Sequence, residues 1–556
     1  MSDPITVQVV RNRISSVMQE MHYHFYRSGY STIIRESRDF SCVILDRNGG
    51  LLVAPAMFFH APVYRHLVGR ILELYGETGI ADGDMFVSNH PYEGGLPHVS
   101  DMAFVAPIVS AGRLIGFAGS IAHKADVGGT MPGSTSATAT EIFHEGLLLP
   151  PVKIETAGVF NDDLMRLILA NSRQPELMRG DMRAQMAATR MGVARMRELG
   201  ERFGAATVAD AFAAILDGAA QELRAAIAAL PDGESYGENL MDSDGIERDR
   251  PVKFACTVRV EQGEITFDFT KAGPQARGPV NLRPTLVEAC VFYSLIGALD
   301  PKLAYNDGMR QVVKFAFAPN TVTNASPPAP VSSYQMANLR LVDAILEAFA
   351  AFRPQRAIAN SGSSGAMTIA WRKGRPGHPT VQYEITGSAY GGGYGNDGAS
   401  GTTTHLSNIH AAPIEILETE FPCRITEFAM VPDSPGAGEF RGGVGFSRRY
   451  LLLEDAVVVR RADRGRYPPR GIAGGKDGGR NRIVLHPGTA REQDVPTQGR
   501  YELQAGDEFL LQSAGGGGYG DPAKRDRAAI ARDIAEGYVT LEAAKREYGW
   551  RTKEPA

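Results

Sequence analysis

The segments NHPYEGGLPHVSDMAF (89–104) and SIAHKADVGG (120–129) constrain the fold most: glycine-rich turns between apolar strands, with His98, Asp101, His123 and Asp126 beside the turns. LIGFAGSIAHK is apolar almost throughout and reads as a buried strand that delivers His123 at its end. In the extended LPHVSDMAFVAP, His98 and Asp101 are three positions apart, so a straight strand would project them from opposite faces. A bend near Pro97 or Ser100 brings both to one point, and Gly94-Gly95 supplies the loop. All four side chains can bind a metal or move a proton. Imidazole plus carboxylate suits zinc, manganese or iron better than magnesium alone. The same residues would also serve as turn polar groups bonded to backbone, and their spacing is less specific than HExxH or paired CxxC motifs.

Around this region the pattern predicts a mixed α/β, α+β multidomain chain. Asp3 and Pro4 open an amphipathic helix whose apolar positions are Val10, Ile14, Val17, Met18, Met21 and Phe25. Residues 160–229 are helical in period and carry a methionine stripe, Met178, Met182, Met186, Met191 and Met196, which suits core or interface packing. FACTVRVEQGEITFDFT alternates on both sides of Gln262-Gly263, as a β-hairpin does. Helical patterns return at 284–299 and 331–352, strands follow, and a β-rich C-terminal region ends in a short helical tail. The expected segments are 1–240, a glycine-rich metal-site region with a helical insertion; 241–430, mixed α/β; and 431–556, β-rich.

Composition excludes several classes. The 556 residues, 43% hydrophobic, are enough for substantial cores, and a net charge of -5 leaves no basic footprint for nucleic acid. No run of 18 apolar residues is present, so no membrane span is expected. Cys42, Cys256, Cys290 and Cys423 are scattered among apolar neighbours and predict buried free thiols in a reducing cytoplasm. GIAGGKD (471–477) fails as a phosphate loop, since Arg470 stands at the first glycine position and Asp477 where Ser or Thr is required.

Several motifs in one order resemble the hydantoinase B family: NHPYEGGLPHVSDMAF, AHKADVGGTMPGS, IFHEGLLLPPVKI, YNDGMR, ASPPAPV, PIEILETEFP, DSPGAGEFRGGVGFSRRY and GGGGYGDP. That family includes N-methylhydantoinase and caprolactamase subunits, the second part of 5-oxoprolinase, and the alpha subunit of acetone carboxylase. The resemblance implies a divalent metal held by His98, Asp101, His123 and an acidic residue of RESRDFSC. Of Glu36 and Asp39, Asp39 is preferred, because it would open the strand 40–45. Asp126 then orients His123 or accepts a proton, with Glu36 as the other proton-handling group. His90 departs from the NDPY run of many relatives and is not assigned as a ligand. His144 and Glu145 are candidates for a pocket wall or acid/base pair, or a capped polar pair.

The family also implies a separate hydantoinase A-like subunit carrying ATP and magnesium, and a heterotetramer with two copies of each chain. The expected activity is ATP-dependent opening of a cyclic amide, such as a hydantoin, oxoproline or lactam. Phosphorylation of the amide oxygen on the partner would create an electrophile for water activated at the metal. The alternatives are a subunit of an ATP-dependent ketone carboxylase of the acetone or acetophenone type, whose alpha chains are generally longer, and a structural or regulatory subunit with a stabilising metal.

Overall fold

In a computed structural model, residues 3–55 and 57–551 are described. The chain divides into two compact units: Met1–Glu234, Thr257–Tyr334 and Leu406–Ala412 form the first, and Ser235–Cys256, Gln335–His405 and Pro413–Ala556 the second. Helices and strands share the chain, as expected of a mixed α/β multidomain protein. The units cut the chain differently from the three consecutive segments of the sequence analysis. They are discontinuous because segments bond to residues far along the chain: Asp242 N–H donates to Asp463 Oδ1 at 2.8 Å, and His410 N–H to the Ser37 carbonyl at 3.1 Å.

The first unit opens with α1 (Pro4–Ser28), where the Asp3 carboxylate accepts from the N–H groups of Ile5 and Thr6, and the six expected apolar residues are buried. A short turn, α2 (Thr32–Arg35), leads into β1 (Phe40–Asp46), followed by α3 (Ala61–Tyr75), β2 (Met85–Ser88), β3 (Asp101–Ser110) and β4 (Arg113–His123). After β5 (Val152–Thr156) and β6 (Val159–Phe160) come the helices α4 (Asp162–Ala170), α5 (Pro175–Phe203) and α6 (Ala205–Ala228). The strands make one antiparallel sheet in the order β1-β4-β3-β2-β5-β6.

The period of two along these strands decides which residues meet which helix. Met102, Phe104 and Ala106 of β3 share a core with Met178, Met182 and Met186, so the methionine stripe of α5 is packing. Gln185 fastens α5 to the sheet by donating to the carbonyls of Met102 and Ser120, 2.9 and 3.0 Å away. The opposite parity carries Ser41, His123 and Asp101. That face meets α3, where the Tyr64 hydroxyl lies 2.7 Å from Ser41 Oγ and the Tyr64 ring leaves no room for a Cβ at Gly119.

The hairpin joins Val252–Glu261 to Glu264–Asp268, and Gln262 and Gly263 both have positive φ, 52° and 79°, as a tight two-residue turn requires. The second unit holds a four-stranded antiparallel sheet, Val381–Thr386, Gly365–Trp371, Ala456–Arg461 and Gln498–Leu503 in that order. A five-stranded antiparallel sheet orders Cys423–Met430, Phe446–Leu452, Glu508–Gln512, Arg482–Leu485 and Gln493–Val495. The C-terminal helices are Arg527–Ala535 and Leu541–Tyr548. All four cysteines are buried and outside any disulfide. Among the described residues no single helix is long and apolar enough to cross a membrane.

Candidate metal centre

The site forms where β1, β4 and β3 meet at one end of the sheet. Asp101, the first residue of β3, is directly opposite His123, the last of β4. The Asp39 carbonyl, just before β1, accepts the His123 N–H at 3.1 Å. Residues 97–100 form a turn rather than a continued strand, and Asp101 N–H bonds back to the His98 carbonyl at 3.2 Å. This bend resolves the opposite-face problem and brings His98 onto the side of Asp101.

The resulting cluster is tight. His98 Nε2 lies 3.2 Å and His123 Nδ1 3.6 Å from Asp101 Oδ1, and Asp39 Oδ2 is 3.9 Å from His123 Nδ1. One ligand atom from each of His98, Asp101 and His123 falls within 4.8 Å of the others, and all three residues are buried. Two ligand atoms at ordinary zinc distances on one tetrahedral ion are about 3.3 Å apart, so this spacing suits a single ion. The polar atoms are also under-used: both ring nitrogens of His98, Asp101 Oδ2 and Asp39 Oδ1 are buried without a hydrogen bond. Buried polar atoms are rarely left so, and an N/O set with spare lone pairs fits a divalent transition metal.

His60 joins the cluster and was missed from sequence. It lies in the turn entering α3, fully buried, with Nδ1 2.9 Å from Ser41 Oγ and Nε2 3.6 Å from Asp101 Oδ2. FFHAPV has no glycine turn or second ligand nearby to single it out; only the packing of α3 on the sheet brings it in. Tyr334 closes the site by meeting the His98 ring edge to face at 5.0 Å. Glu145 secures the loop before it, its Oε1 accepting from the N–H groups of Val331 and Ser332 at 2.8 and 2.7 Å.

Electrostatics separates the two acids. Burial pushes the Asp101 carboxyl up, but His98, His123 and His60 outweigh it and hold the group well below the usual carboxylate range. Burial raises Asp39 to about 7, with the Asp101 charge adding and His123 opposing. His123 is lowered by burial, against the support of Asp101. Lys124, fully buried and bonded to Gln185 Oε1 at 2.5 Å, is pushed down to about 8 by burial.

Two expected participants go elsewhere. Asp126 Oδ1 accepts from Gly128 N and Arg173 N at 3.0 and 2.9 Å, and Oδ2 from Gly133 N and Arg173 Nη1 at 2.9 and 3.0 Å. Four donors tie up its lone pairs, so Asp126 is a staple of its own glycine loop rather than an orienter of His123 or a proton acceptor. Glu36 ends α2, half-buried, with its carboxylate 3.6 Å from Arg35 Nε, and does not enter the cluster. His90 caps its turn, Nδ1 accepting from Tyr92 N and Glu93 N at 3.2 and 3.1 Å. His144 Nδ1 accepts from Thr140 N at 3.3 Å. The pair 144–145 therefore acts as capped polar residues, with Glu145 serving the wall through Tyr334.

Comparison with known proteins gives the family and the fold. A family model described as hydantoinase B/oxoprolinase matches residues 3–522. A protein of Pseudomonas sp. strain NS671, named provisionally as the B-type component of a D-/L-hydantoinase, is 31% identical, with 98% of this chain and 95% of that protein covered. The crystal structure of ATP-dependent caprolactamase from Pseudomonas jessenii superposes with a TM-score of 0.90 at 27% identity, covering 98% of this chain and 96% of that one. Nucleotide-free acetone carboxylase shares the fold, with a TM-score of 0.88 at 18% identity over 100% of this chain and 80% of that one.

Proposed function

Since the chain belongs to the hydantoinase B/oxoprolinase family, we propose that it is the metal-carrying subunit of an ATP-dependent enzyme that opens a cyclic amide, a hydantoin, oxoproline or lactam. Its partner is a hydantoinase A-like subunit that binds ATP and magnesium, in a cytoplasmic heterotetramer. The observation that carries the reading is the buried His98, Asp101 and His123 cluster, in which both ring nitrogens of His98 and Asp101 Oδ2 make no hydrogen bond.

His98, Asp101, His123 and Asp39 would hold the metal, which when bound polarises an oxygen and lowers the pKa of water. The protein's own part is to prepare the donor set. Asp101 is kept ionised by its three histidines, and His60, its Nδ1 on Ser41, directs Nε2 toward the Asp101 oxygen that His98 does not face. Asp39, near 7, can release its proton at neutral pH and become a ligand. Tyr334 and Phe59, 5.7 Å apart, wall the cluster from solvent.

Elemental analysis of the purified chain tests the reading. About one equivalent of zinc, manganese or iron in the wild type and none in a folded His98→Ala, Asp101→Ala variant is the expected result. Assays with the partner subunit, ATP and cyclic amides then give ring opening that the variant lacks. A metal-free wild-type chain in an active complex would overturn it. The acetone carboxylase fold supports a second reading, ATP-dependent ketone carboxylation, and incorporation of labelled bicarbonate into a ketone would select it.

A further inference from the structure

The second unit contains a cleft of about 410 Å³, lined among others by Arg248, Arg466, Arg480 and Arg482. None of its residues belongs to the histidine cluster. Only Arg482 has a carboxylate partner, with Nε 2.9 Å from Asp494 Oδ2. Among the described residues no carboxylate pairs with Arg248, Arg466 or Arg480; Arg466 Nη1 donates only to the Asp249 carbonyl, at 3.2 Å. Asp242, the other acid of the lining, is held by backbone: Oδ1 accepts from Arg466 N and Tyr467 N at 3.0 and 2.9 Å, and Oδ2 accepts from Gly465 N at 2.6 Å.

In a chain of net charge -5, four exposed guanidinium groups around one concavity outnumber its two carboxylates, Asp242 and Asp494, and leave a positive potential there. The floor beneath them is rigid. The Asp242 N–H donates to Asp463 Oδ1 at 2.8 Å, and Asn481 Nδ2 donates to the Asp463 carbonyl. Behind, Asp463 Oδ2 is 3.3 Å from Nε of the fully buried Arg340. Asn481 Oδ1 accepts from Ala514 N at 2.7 Å, and Gln498 Nε2 donates to the Ser243 carbonyl at 3.3 Å. The arginines therefore line a cleft whose base is already hydrogen-bonded and whose two carboxylates leave them in excess.

We propose that this cleft binds an oligophosphate. Guanidinium forks match phosphate oxygens, and three uncompensated arginines around one volume call for a ligand with several charged groups rather than one carboxylate. The volume is within the range of small-molecule sites and admits a diphosphate with or without a nucleoside. The recognition is by arginine side chains, which supply the positive charge of the lining.

The test is calorimetric titration of the full-length chain with inorganic pyrophosphate and, separately, ADP, comparing wild type with an Arg248→Gln, Arg480→Gln variant. Saturable binding that weakens by about tenfold or more in a variant of unchanged melting temperature and metal content is the expected result. Tighter binding of ADP than of pyrophosphate identifies a nucleotide as the source, and equal binding identifies the phosphate chain alone. The proposal is overturned if neither anion binds, if the variant binds as the wild type does, or if binding is lost in His98→Ala, Asp101→Ala instead. A variant that binds anions normally but no longer assembles with the partner subunit would make the cleft a protein interface and likewise overturn it.

Discussion

Two glycine-rich regions of this chain look alike as text and do opposite things. In the second unit, glycines of four segments interlock through backbone: Gly392 N donates to Gly517 O at 2.8 Å, Gly516 N to Gly443 O at 3.0 Å, Gly436 N to Gly516 O at 2.8 Å and Gly518 N to Lys476 O at 2.9 Å. Side chains are excluded because a Cβ on Gly516 would overlap the Tyr390 carbonyl oxygen. Every polar group in these four pairings is used. At the end of the first unit's sheet, the glycine turns frame His98 and Asp101, whose buried polar atoms are partly unused. Glycine content therefore marks close approach of chain to chain in both places, and only the balance of donors and acceptors separates a mesh from a site.

Substitution can break this comparison. His98→Ala with Asp101→Ala should abolish metal content and ring-opening activity while changing the thermal midpoint of the metal-free chain little, as measured by calorimetry; a collapse of the metal-free fold would make the cluster structural. Gly516→Ala should do the reverse, costing about 3 kcal/mol or more in chemical denaturation of the second unit while the metal remains bound. Asp126→Ala lies in a glycine turn of the first unit but should behave as part of a mesh. It should lose about 2 kcal/mol from the Arg173 staple, discounted because Arg173 is partly exposed, with metal stoichiometry unchanged.

Smaller effects sharpen the boundary. His60→Ala should weaken metal binding by about 10- to 100-fold in a competition assay with a chelator, the scale of an outer partner, without loss of fold. On α1, His22 stacks on Phe40 at 4.4 Å and is lowered to about 4, first by burial and then by Arg38. Its folded pKa is below its unfolded value of 6.5, so the unfolded chain binds more protons between those values and stability falls as pH drops from 6.5 toward 4. The slope is at most about 1 kcal/mol per pH unit for this part-exposed ring, and His22→Phe should flatten it in pH-dependent denaturation.

Much of the fold is legible in the sequence because local chemistry is decisive there. Asp3 before Pro4, the spacing from Val10 to Phe25, and Gln262-Gly263 between alternating runs each satisfy a nearest-neighbour rule, and each element forms where that rule places it. The motif pairing of His98 and Asp101 is legible for the same reason, since Pro97 and the glycines announce a bend. The roles of Asp126 and Glu36 are not, because a carboxylate beside a glycine turn has the same text whether it faces a metal or its own backbone.

By itself, then, the sequence determined the family, the periodic elements and the residue types able to hold a metal. The sequence preferred Asp39 to Glu36, and Asp39 Oδ2 lies 3.9 Å from His123 Nδ1; tertiary structure alone decided that His60 arrives with α3 from outside the motif and that Arg248 and Arg480 share one cleft. The physical reason is that periodicity and turn chemistry act over a few residues. Partnership of buried polar groups depends on strand register and helix packing, which join positions far apart in the chain.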